Sequence, residues 1–95
     1  MTVFALLRRR TEAFDEDAMA KMLEPEAEAA RRLYGDGHVK AIYSRQDVPG
    51  AVIQLEVASL DEAKRILQRL PMLANDMLEA TWVPVSPYRG FLPRS

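Results

Sequence analysis

An α+β fold with the element order β-α-β-β-α-β is predicted by three observations in this 95-residue chain. Two stretches carry apolar residues at helical spacing, each beginning at a residue suited to cap a helix. Four short runs rich in branched and aromatic side chains alternate with them in the order of strands. Two of those runs are joined by Pro49-Gly50, a turn signal, and so form a hairpin. A chain of this length holds one domain, residues 1–95.

Residues 3–9 make the first strand, ended by Arg8-Arg9-Arg10, which reads as a solvated strand end. Asp15 caps the first helix, and Glu16 and Asp17 suit the positive end of its dipole. Met19, Met22, Leu23, Ala27, Ala30 and Leu33 trace its apolar stripe. Pro25 lacks an amide hydrogen and crowds the preceding turn, so a break is expected near Glu24. A second segment, residues 26–34, then runs to Gly35-Asp36-Gly37.

Residues 38–45 and 51–57 are the hairpin strands around the loop 46–50. In the latter, Ala51, Ile53, Leu55 and Val57 share one face and Val52, Gln54 and Glu56 the other. Ser59-Leu60-Asp61-Glu62 is a capping box. The helix it opens buries Leu60, Ala63, Ile66, Leu67 and Leu70 and stops at Pro71. Residues 72–78 are a linker of at most one helical turn, and residues 79–85 a last strand, which Pro84 marks as an edge. The tail 86–95, with Tyr88, Phe91 and Leu92, has no core of its own and is expected to pack on a neighbouring subunit.

This order is the split βαβ, or ferredoxin-like, pattern. Two right-handed crossovers put both helices on one face of a four-stranded antiparallel sheet. The other face, drawn from Phe4, Leu6, Ile42, Val52 and Trp82, is too apolar to stay open to water in so small a chain. Pairing two sheets would hide about 800 Å² per partner. A homodimer closed as a dimeric α/β barrel, or a higher homo-oligomer, is therefore expected.

Composition excludes several classes. Lys plus Arg number 13 against 14 Asp plus Glu, a net charge of −1, so no basic excess points to nucleic acid. The third strand also lacks the aromatics on which RNA bases stack. With no Cys and one His, neither disulfides nor a metal site is expected. No run approaches the roughly 18 apolar residues of a membrane span, and the apolar start is too short for a signal peptide. A cytoplasmic protein is the expectation.

Leu67-Gln68-Arg69-Leu70-Pro71-Met72-Leu73, a helix end with a Leu-Pro step, resembles the corresponding segment of muconolactone isomerases. Val57 to Ala63 resembles that family's strand-to-helix junction, Arg32 to Gly37 its first-helix end, and Ile42-Tyr43-Ser44-Arg45 its second-strand end. Glu26 and Glu28 fall where acidic residues also occur. The likeness runs from about residue 3 to 87; the family's His-Pro near the last strand stands here as Ser86-Pro87, and its strand Trp is missing. The resemblance implies cofactor-free migration of a double bond in a small unsaturated lactone or related carbonyl compound.

Such chemistry needs a base and a donor for the dienolate oxygen. His38, the one side chain with an ordinary pKa near neutrality, and Glu28, a base if its helix faces the pocket, are the catalytic candidates. Each also has a plain structural reading, as an exposed turn-edge histidine and a solvated helix glutamate. Tyr43 and Arg45 share a strand face and suit an oxyanion donor and an anion anchor for substrate. Trp82 is the third substrate-binding candidate, with core packing as its other reading. Two further functions fit this fold. One is a cofactor-free cyclase or monooxygenase of polyketide type, with Trp82 and Tyr43 as pocket walls; the other is a non-catalytic dimer that binds a small ligand.

Overall fold

The computed structural model describes residues 1–91 and 93. Its elements are β1 (Thr2–Arg9), α1 (Glu16–Gly35), β2 (Val39–Ser44), β3 (Gly50–Glu56), α2 (Leu60–Leu67), α3 (Pro71–Ala74) and β4 (Leu78–Val85), followed by a 3₁₀ turn, Arg89–Phe91. The four strands form one antiparallel sheet in the order β2-β3-β1-β4. This is the α+β, ferredoxin-like arrangement expected from the sequence, with Pro84 on an edge strand.

The caps act as their residue types dictate. Asp15 accepts the amide of Ala18 at 2.8 Å and opens α1. Ser59 accepts the amide of Glu62 at 3.1 Å, and the Glu62 carboxylate accepts the amide of Ala58 at 3.2 Å. Pro71 sits in the first turn of α3, where its missing amide hydrogen costs nothing.

One expectation about α1 fails. The helix does not break at Pro25 but runs unbroken from Glu16 to Gly35. The proline cannot donate to the carbonyl of Lys21 four residues earlier. Both residues are exposed, so that carbonyl can turn to water rather than be lost in the core.

The core lies between the sheet and the helices. Val3, Ala5 and Leu7 from β1, Ile53 and Leu55 from β3, Met19 and Leu33 from α1, and Ile66 and Leu67 from α2 are all buried there. The sequence places Ile42 and Trp82 among the residues of the opposite face; the structure turns both toward the helices. Val39 pairs with Leu55 but Ile42 pairs with Ile53, because a β-bulge between Val39 and Ala41 adds one residue to β2. A one-residue insertion reverses every later side chain. Ile42 thus joins the helix side and Tyr43, opposite Val52, the open side. Trp82 lies across from the buried Ala5 and packs against the core. Phe4, Leu6, Val52 and Val83 remain on the open face, neighbours in register: Leu6 opposite Val52, Phe4 opposite Val83.

No helix among the described residues is long and apolar enough to cross a membrane.

Candidate functional site

A cleft of about 270 Å³ opens between α1 and the end of the sheet where β1 and β2 finish. Leu7, Arg9, Ile42, Ser44, Ala51 and Ile53 form its sheet wall, Leu23, Glu26, Ala27 and Ala30 its helix wall, and Leu70, Met72 and Leu78 close it from the α3 side. The lining is apolar except for Arg9, Glu26 and Ser44. An apolar hollow with a few convergent polar groups is the usual form of a small-molecule site.

Glu26 is the chemically distinctive residue. It stands seven residues after the buried Met19 and seven before the buried Leu33, so an unbroken α1 carries it on the inward stripe. Its Oε1 accepts the backbone amide of Met72 at 2.9 Å. That amide belongs to the first turn of α3, whose N-cap residue, Leu70, has no side-chain oxygen to serve it. Burial raises the pKa of the Glu26 carboxyl above the ordinary glutamate value, while the Met72 amide and the charge of Arg9 pull the other way without cancelling it.

Arg9 departs from the solvated strand end read from the sequence. Arg8 is paired with Glu12 and Glu79, and Arg10 with Asp76, all at the surface. Arg9 lies opposite Leu78, on the helix side of β1, and lines the cleft.

The five residues singled out from the sequence lie elsewhere and are not brought together. Glu28 is exposed on α1 and paired with Arg32 at 2.6 Å. His38 precedes β2, at the other end of the sheet from the cleft, with Nδ1 4.0 Å from a Glu62 carboxylate oxygen. Tyr43 stands on the open face, 60% exposed. Arg45 closes on Asp47 with contacts of 3.0 and 2.6 Å at the hairpin mouth. That pairing raises the arginine's pKa and lowers the Asp47 carboxyl to about 2. Trp82 packs on the core and does not line the cleft.

The residue that sequence reasoning passed over is Glu26. Its signal was present: counted from Met19 in one continuous helix, position 26 is inward and position 28 is not.

A scan against models of protein families finds no match to this chain, and a search of curated proteins finds no significant relative.

Proposed function

We propose that the cleft is a cofactor-free site for proton transfer on a small unsaturated lactone or related carbonyl compound, with Glu26 as the base. The single observation that carries this reading is a half-buried carboxyl, raised in pKa, in a hollow whose lining is apolar but for Arg9 and Ser44. A carboxylate whose proton affinity is raised by burial is a stronger base than one in water.

In this mechanism the Glu26 carboxylate takes a proton from the γ carbon, which the substrate C=C bond conjugates to the carbonyl. The electron pair of that C–H bond becomes a new C=C bond, the old C=C pair shifts one bond toward the carbonyl carbon, and the carbonyl π pair moves onto oxygen as a dienolate. The Ser44 hydroxyl, the one neutral side-chain donor in the lining, donates to that oxygen. The protonated Glu26 then returns the proton to the carbon next to the carbonyl, the carbonyl re-forms, and the double bond has moved. The site works within a homodimer formed through the open sheet face, which hides Phe4, Leu6, Val52 and Val83.

The bond from Glu26 to the Met72 amide favours a second reading, in which the carboxylate is a structural cap for α3 and the dimer only binds its ligand. Proton NMR of the protein with muconolactone in D₂O separates the two. Catalysed double-bond migration with deuterium uptake is expected. It should fall about 10²-fold or more in Glu26→Gln, the usual weight of a general base, and survive in Glu28→Gln and His38→Ala. Migration unchanged in Glu26→Gln discards the base, and a Glu26→Gln variant that binds as before with no exchange in the parent protein supports the structural reading.

A further inference from the structure

Beyond the cleft, on the other side of Arg9, lies a second hollow of about 550 Å³. Phe14, Met19 and Leu23 of the α1 side and Pro49 of the hairpin give it an apolar lining, with Asp15 and Glu16 at its α1 end. Arg9 and Leu23 line both hollows. The arginine therefore stands at their junction, between two apolar spaces.

Its neighbours make that position unusual. Arg8 and Arg10, on either side in sequence, each hold carboxylates. Arg9 has no ion pair or side-chain hydrogen bond among the described residues, although it is partly buried. Of the nearby acids, Asp15 is engaged with the Ala18 amide and Glu26 with the Met72 amide; Glu16 has no such bond and borders only the far hollow. A partly desolvated guanidinium with free donors presents a planar fork that matches a carboxylate.

We propose that Arg9 anchors a carboxylate of the ligand, and that the ligand carries apolar substituents on both sides of that acid group, one for each hollow. The ligand class is an α-substituted carboxylic acid with two apolar arms. This deepens the reading of the cleft as the site and rests on it, but concerns binding and not the proton-transfer step.

Three probes of one size distinguish the parts of the proposal: 2-propylpentanoate, its linear isomer octanoate, and the neutral 2-propylpentanamide. Titration of the ¹⁵N-labelled full chain at neutral pH gives affinity and location together. The branched acid should bind about tenfold or more tightly than its amide, the scale of one charge-assisted hydrogen bond. It should shift amides of both hollows, such as Ala27 in one and Met19 in the other, whereas octanoate should shift those of one. In Arg9→Gln the acid should weaken to the level of the amide, and Arg9→Lys should recover part of the difference. Unchanged amide binding in both variants shows that they fold. Equal binding of acid and amide in the parent protein, or a preference that persists in Arg9→Gln, overturns the anchor. Shifts from the branched acid confined to one hollow overturn the two-armed ligand. Failure of lactone isomerisation alongside Arg9-dependent binding would remove the catalytic reading and leave this one standing.

Discussion

At the scale of single residues, Glu26 has two tasks that pull on one carboxyl group. As a carboxylate it satisfies the Met72 amide, and as a buried group it resists ionisation. Because its pKa is raised in the fold, the folded protein holds this proton to a higher pH than the unfolded chain does. Stability therefore falls as pH rises through the window between the unfolded and folded values, and is fully present below the ordinary glutamate pKa. Urea unfolding at a series of pH values should show this decline, and Glu26→Gln should flatten it; an unaltered slope in that variant would mean that the carboxyl is not held above its ordinary value. Asp47, lowered by Arg45, works with the opposite sign, losing its contribution as the solution is acidified toward its own folded value of about 2. What the sequence showed at this scale was uneven. Asp15 and Ser59 were legible as caps because capping depends on a few adjacent residues. Arg9 was not, because three successive arginines look alike until the strand's register turns the middle one inward.

At the scale of elements, the difference between Glu26 and Glu28 is a difference in helical phase. A break at Pro25 would reset the rotation of everything after it, and the apolar stripe could then be drawn through either glutamate. The unbroken α1 keeps the phase set by Met19 and carries Glu26 inward. Pro25 should then be a pure cost to that helix. Pro25→Ala is expected to stabilise the protein by about 1–3 kcal/mol in chemical denaturation, the interior-proline penalty less the entropy that proline removes from the unfolded chain. A loss of stability in that variant would contradict a continuous helix. The strands were legible as elements, since the alternation of Val52, Gln54 and Glu56 with Ile53 and Leu55 fixes both faces of β3. The bulge in β2 was not. One extra residue between Val39 and Ala41 leaves no mark on a run of six, yet it exchanges the faces of Ile42 and Tyr43 and so decides which of them reaches the cleft.

At the scale of the whole molecule, the helices cover one face of the sheet and leave the other exposed, with an apolar patch centred on Leu6 and Val52. The topology was readable from element order alone, because short connections and right-handed crossovers admit few arrangements. The cleft was not readable, because it joins residues from β1, α1, β2, β3 and α3 that no local pattern connects. If a second copy covers the open face, Val52→Arg should convert the protein to monomers in sedimentation velocity while leaving the helix-side core intact; a parent protein already monomeric at high concentration would refute the dimer. The exposed Tyr88 and Phe91 pack edge to face on each other at 5.1 Å, while Leu92 of the same tail lies outside the described residues. The role of Glu26 as the base is tested most directly by the pH dependence of deuterium uptake by muconolactone. The rate should rise with pH through a single ionisation above the ordinary glutamate value of about 4.3, matching the midpoint of the Glu26 carboxyl followed by ¹³C NMR. A rate limb that departs from that midpoint, or that persists in Glu26→Gln, would contradict it.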